Sequence, residues 1–224
     1  MPGIEVRLPG GTWSTVSVKD VKNDLTNSLD LVNRYDLIET PIRRMQILDL
    51  AIPAFLEAPP NFKGMLEELN GMGENPTLAV ALAKITTALR ALPSATDIWD
   101  WPDSPANRAA LRLAFSRCRY HSYAHALITK MLHLKRRRLI IPIDSRLRKA
   151  WVIPYKKAWT LNEMVDVTFQ VGGELGQRPE TLRLLRATAD RMGWPYNTLS
   201  TLRLYDIVSW WNGAPRSPAV TRTP

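Results

Sequence analysis

The chain has 224 residues, 45% of them hydrophobic and 23% charged, which is enough apolar material for a buried core and excludes a wholly disordered protein. Its 30 Lys and Arg outnumber its 21 Asp and Glu, giving a formal charge of +9 and a pI of about 9.9, a balance that favours a polyanionic partner. The single cysteine, Cys118, excludes an intrachain disulfide and any cysteine-built zinc or iron–sulfur site; the apolar runs fall short of the roughly 18 residues of a membrane span and no signal-peptide layout opens the chain, so a cytoplasmic protein is expected.

Residues 4–8 and 12–18 alternate in polarity around Pro9-Gly10-Gly11, which predicts a β-hairpin over residues 1–18. The remainder, 19–212, reads as one helical domain. Asp20 or Asn23 is placed to start a helix running to about Arg34. A second helix is predicted from Pro41 to Phe55, with Thr40 as N-cap and Pro41 at the first helical position. Ala58-Pro59-Pro60-Asn61 breaks the chain, and a short helix and the loop 70–76 follow. Leu78, Leu82, Ile85 and Leu89 set an apolar face on a helix over 77–91. After a turn region at Trp99–Pro105, helices are predicted over 106–118, 122–134, 145–152, 161–171, 179–192 and 198–211. Residues 213–224 are proline-rich and polar and read as a disordered tail.

Charge is concentrated in one stretch. Between Arg117 and Lys157 lie twelve Lys and Arg and all three histidines, His121, His125 and His133, against one acid, Asp144. Such a stretch predicts a surface that tracks phosphates, with Lys130, Lys135, Arg136, Arg137, Arg138 and Arg146 as its cations. Asp144 follows the apolar run Leu139–Ile143 and precedes Ser145-Arg146-Leu147-Arg148, a helix start. Two roles fit that position. An aspartate there caps the helix by accepting first-turn amides. Held ionised by the helix terminus and by cations, it can also stabilise positive charge on a sugar or orient a water beside bound DNA.

His121 and His125 stand i, i+4, on one helical face, but no glutamate completes an HExxH arrangement, so no metal is predicted. No glycine-rich phosphate loop of P-loop or dinucleotide type occurs, and no cofactor is expected. Tyr120, His121 and Tyr123 are candidates to stack on or wedge out a base, and Trp99 and Trp101 to line a base pocket.

The segment Ser122–Trp151 resembles the active-site core of the helix-hairpin-helix DNA glycosylase superfamily. There a short hairpin leads into a helix, and about twenty residues later a β-branched–Pro–β-branched–Asp motif opens the next helix. Ile141-Pro142-Ile143-Asp144 matches it. The run Lys130–Leu139 and the ending Leu202–Trp211 resemble more closely an uncharacterised domain family common in actinobacterial genomes. The glycosylase resemblance implies Asp144 as the catalytic carboxylate and Ser122 as a hairpin contact to DNA. The hairpin glycines of that family are replaced here by His121 and Tyr123, or by Ser122 and Ala124. The position of its Schiff-base lysine holds His125, the second candidate catalytic residue. Lys130 lies five residues on, roughly 140° around the helix. That pattern implies a monofunctional enzyme with water as nucleophile. The expectation is a mostly α, helix-hairpin-helix glycosylase-like protein with a small N-terminal β-hairpin. It would flip and excise a damaged or modified base from double-stranded DNA, in repair or in defence. The alternative is a non-catalytic DNA- or RNA-binding protein that uses residues 117–157.

Overall fold

The computed structural model describes residues 3–38, 42–46, 49, 77–118, 125–151 and 159–212. Two strands, β1 (Ile4–Arg7) and β2 (Trp13–Val16), pair antiparallel with Ile4 opposite Val16. Gly10 and Gly11 take φ of 89° and 83°, a conformation that glycine adopts without Cβ strain, and so turn the chain between them. The hairpin buries Ile4, Val6 and Val16 in the same core as the helices.

Helix α1 runs Val18–Asn27. Its start is set three residues earlier than Asp20: the Ser17 hydroxyl accepts the Asp20 amide at 3.1 Å, and Asp20 supplies the first-turn acid. The helix does not continue to Arg34. It breaks at Ser28, makes one more turn at Leu29–Leu31, and widens into a π-helical turn over Val32–Asp36. That widening turns the adjacent residues Tyr35 and Asp36 both inward. The helix expected from Pro41 to Phe55 is corrected over its first part: residues 42–46 form a turn and irregular chain. Its other residues, like the loop 70–76 and the tail 213–224, lie outside the described residues.

Seven further helices follow among the described residues: α2 (Thr77–Arg90), α3 (Pro105–Cys118), α4 (His125–Lys135), α5 (Ser145–Ala150), α6 (Leu161–Gly176), α7 (Pro179–Met192) and α8 (Thr201–Asn212). Helix α6 passes five residues beyond its expected end, straight through Gly172 and Gly173. A Cβ on Gly172 would meet Ile98 Cγ1 at 2.6 Å, so this glycine marks close packing of the 3₁₀ turn Ile98–Asp100 on the helix rather than a helix stop. Helix α8 starts three residues later than expected because Tyr196–Thr198 forms its own 3₁₀ turn; Ser200 then caps α8 by accepting the Arg203 amide at 3.1 Å.

Helices α2, α3 and α6 pack in series, and α6 carries the Ile98 turn. Helices α7 and α8 pack on each other, on α1 and on β1, and α8 also meets α5. Two helices run through the middle. Every residue from Leu127 to Lys135 on α4 and from Leu202 to Ser209 on α8 is buried. No helix among the described residues is long and apolar enough to cross a membrane.

Candidate functional site

Asp144 stands where sequence reasoning put it, at the head of α5. The apolar chain before it is buried, and the Ile143 amide is held by the Thr129 hydroxyl of α4 at 2.9 Å. Asp144 Oδ1 accepts the Leu147 amide at 2.9 Å, so the capping role is present in full. The side chain is half-buried and lines a small cavity with Trp151, Asp206, Ser209 and Trp210. Its free volume is about 10 Å³, room for about one water molecule. The Trp151 indole nitrogen, on a buried residue of this lining, has no hydrogen-bond partner among the described residues. Unpaired donors beside a water-sized polar cavity are where a buried water is retained.

Asp206 is the residue that sequence reasoning missed. It lies on α8, buried, with its carboxylate bonded to Arg203. Burial pushes its acid up, Arg203 pulls it down, and the neighbouring charge of Asp144 pushes it up again, to about 7. The site therefore pairs one carboxylate at a helix start with a second that holds its proton up to neutral pH. A signal existed in the sequence: Arg203 and Asp206 stand i, i+3 within the otherwise apolar run 202–208.

The pair is anchored by a buried polar network. Arg203 Nε reaches both oxygens of Asp36 at 3.0 Å, and its guanidinium lies 5.5 Å from the Tyr35 ring centre. The Tyr35 hydroxyl donates to the Lys130 carbonyl at 2.6 Å, and its ring stacks on His133 at 6.2 Å. His133 Nδ1 lies 2.5 Å from the Ile140 carbonyl, which fixes the proton on that nitrogen. Burial and the Arg203 charge pull the His133 acid down to about 3.

These two groups oppose each other in acid. His133 titrates at its ordinary 6.5 when unfolded and about 3 when folded, so its contribution to stability is present above 6.5 and is lost as pH falls. Asp206 moves the other way, from 3.8 unfolded to about 7 folded, so its contribution is full below 3.8 and is lost as pH rises. Between about pH 4 and 6.5 the two slopes cancel in large part. Asp206→Asn removes one of them. Its unfolding free energy, measured by urea titration, is expected to fall on acidification by up to about 1.4 kcal/mol per pH unit more than wild type. A slope equal to that of wild type counts against this assignment.

Part of the basic stretch is corrected by its surroundings. Residues 127–135 of α4 are buried, and Lys135 there serves the fold. The Lys135 side chain is fully buried, 2.6 Å from Asp49. Arg136 donates to the carbonyls of Leu89 and Leu92 (3.0 Å for the latter), at the C-terminal end of α2, and to Ile42 and Lys135 at 2.6 Å each. It thus satisfies carbonyls that a helix end leaves orphaned. Arg137 holds the carbonyls of Asp36 and Ile38 at 2.6 and 3.1 Å, and Arg138 grips Asp97 with two hydrogen bonds of 2.9 and 2.6 Å. Lys130 is buried. Neither Lys135 nor Arg136 is available to a phosphate.

Trp99 and Trp101 are likewise placed away from Asp144. Trp101 is buried and stacks on Phe169 of α6 at 5.2 Å, while Trp99 packs its Cβ against Gly176. The tryptophans at the Asp144 cavity are Trp151 and Trp210 instead. Tyr120, His121, Ser122 and Tyr123 lie outside the described residues, as do the side chains of His125 and Arg146. Among the described residues no cluster of His, Cys, Asp and Glu has the grouping to hold a metal ion.

Fold and site together define a mostly helical protein, with a two-stranded N-terminal sheet, built around a buried carboxylate–arginine network. The chain belongs to DUF6308, a family of unknown function, which matches residues 49–213. That segment contains Asp144, Arg203 and Asp206 but not Asp36 or the hairpin. No curated protein and no solved structure matches the chain.

Proposed function

We propose that the protein is a monofunctional DNA glycosylase-like enzyme of the helix-hairpin-helix type, with Asp144 as its catalytic carboxylate. The observation that carries this reading is the Asp144–Asp206 pair: two carboxylates share one polar cavity, and one of them keeps its proton to about pH 7. Perturbed acids of this kind concentrate where proton chemistry is done. The Ile-Pro-Ile-Asp motif at a helix start supports it further.

In this mechanism the C1′–N bond of an extruded nucleotide breaks, and its electron pair leaves with the base. Asp144 faces the positive charge that develops on the sugar, with the protonated Asp206 beside it in the cavity. The water oxygen bonds to C1′. One of its protons goes to Asp144 and the departing base takes up one in exchange, so the reaction is a hydrolysis. Arg117, Arg138 and Lys149, which remain exposed, offer contacts to the DNA backbone.

A second reading has its own observation. The cavity beside Asp144 is far smaller than the roughly 300 Å³ at the low end of ligand pockets, so an extruded base enters only if Trp210 or its neighbours move. With the pocket closed, Asp144 acts as a helix cap alone and the protein binds DNA without cutting it.

The test compares wild type, Asp144→Asn and Asp206→Asn on duplexes carrying a panel of modified bases. Asparagine keeps the cap, so Asp144→Asn folds. The enzyme reading expects base release by wild type and its loss, by about 10³-fold or more, in Asp144→Asn. Equal DNA binding by all three proteins with no release on any duplex leaves the second reading standing and overturns the first.

A further inference from the structure

A second cavity lies at the other end of α8, away from the carboxylate pair. It is an open cleft of about 430 Å³ between the turn that ends α4 and the N-terminus of α8. Arg137, Arg138 and Arg186 enter it from two sides, and Thr198, Ser200 and Thr201 line its floor. No carboxylate is among its described lining residues.

The charges there are unevenly balanced. Arg138 has Asp97, and Arg186 has Asp190 at 2.9 Å. Arg137 spends its hydrogen bonds on two carbonyl oxygens, which carry only partial charge, and the nearby Asp36 carboxylate is committed to Arg203. No carboxylate pairs with Arg137 among the described residues. Arg137 thus lines the cleft with a charge that no carboxylate among the described residues pairs.

The cleft is also rigid. The Ser200 hydroxyl donates to the Arg137 carbonyl at 2.6 Å, joining the two walls, and Arg186 holds the Leu199 carbonyl at 2.6 Å. Helix α8, twelve residues long, starts at Thr201 and points the positive end of its dipole at the same space. The Ser200 and Thr198 hydroxyls are spent on the carbonyls of Arg137 and Pro195, so the donors come from the guanidinium groups and the helix start. A tetrahedral anion with several acceptor oxygens answers all of them; a planar carboxylate answers two.

We infer that this cleft is a binding site for a phosphate group, carried either by a free phosphate ester or by a nucleic-acid backbone. Its volume exceeds that of a bare phosphate, which leaves room for the group that bears it. The inference does not depend on glycosidic bond cleavage at Asp144.

The experiment measures thermal unfolding of the full chain in inorganic phosphate and in pyrophosphate, against sodium chloride of equal ionic strength. Phosphate is expected to raise the melting temperature of wild type, as a ligand that binds only the folded state does. Arg137→Gln is expected to weaken the apparent affinity by about tenfold or more. Because Arg137 also braces Asp36, Thr201→Asp is the decisive variant. An acid in the first turn favours the helix, so it folds, while its charge repels the anion. A phosphate response in Thr201→Asp equal to that of wild type overturns the inference, and so does a wild type that responds no more to phosphate than to chloride. A further arm distinguishes the two sources. If Thr201→Asp loses affinity for a DNA duplex in parallel, the phosphate belongs to a backbone. If duplex affinity is kept while a nucleoside monophosphate is lost, it belongs to a free ester.

Discussion

Arg203→Met is expected to lower the unfolding free energy by about 3–5 kcal/mol, with the loss growing as pH rises. Arg203 sits 4% exposed between Asp36 and Asp206, and its removal strands two carboxylates out of water. A methionine fills the volume but supplies neither charge nor donors. In wild type the cluster is close to neutral, because Asp206 keeps its proton up to about pH 7 and Arg203 is then balanced by Asp36. In acid Asp206 carries its proton, so the variant recovers part of its stability there. Replacing all three residues together, Asp36→Asn, Arg203→Met and Asp206→Asn, is expected to be milder than Arg203→Met alone, since no charge remains to be desolvated. Urea unfolding across acid and neutral pH measures this. A cost under about 1 kcal/mol at neutral pH would show that these groups behave as solvated surface charges.

Lys135→Met is the second large effect, and it separates a structural cation from a DNA-binding one. Lys135 and Asp49 bury both side chains completely at 2.6 Å. Burial alone pulls the lysine down, and Asp49 restores part of that shift. Removing the lysine leaves a buried carboxylate unpaired, at a cost of about 3–5 kcal/mol. Adding Asp49→Asn to it should return much of that. The affinity of the folded variant for DNA should keep its salt dependence. Were Lys135 a phosphate ligand, the slope of log affinity against log salt would fall by about 1.

What could be read from the sequence was local. Pro179 and Gly193 bracket α7, and its predicted and observed bounds agree because both signals act on the residues beside them. Asp144 as a cap was legible for the same reason. The start of α1 escapes the sequence because the predicted strand 12–18 covers Ser17, and the predicted helix 161–171 stops short of Gly172, which packs against Ile98 inside α6. Lys135 and Arg136, within the basic stretch, were misjudged for a different reason. Counting charges along a chain does not show what meets them: the partners of Lys135, Arg136 and Arg138 come from Asp49, from the end of α2 and from Asp97, all far upstream. The carboxylate pair joins residues 62 apart (206 − 144), which no spacing rule reaches.

The contacts of β1 and α1 with α8 bear on how the chain folds. The Arg7 amide donates to the Tyr205 hydroxyl, 198 residues away, and Asn212 reaches Asp24 across 188. Helix α8 packs against β1, α1, α5 and α7, so each of these buries part of its inner face only once α8 has arrived. During synthesis the hairpin and α1 emerge before α8 and lack this partner until α8 has been made. Contacts this distant along the chain make the closing of the core a late, slow and cooperative step. Until then the apolar faces of α1 and α7 are open to chaperones or to aggregation.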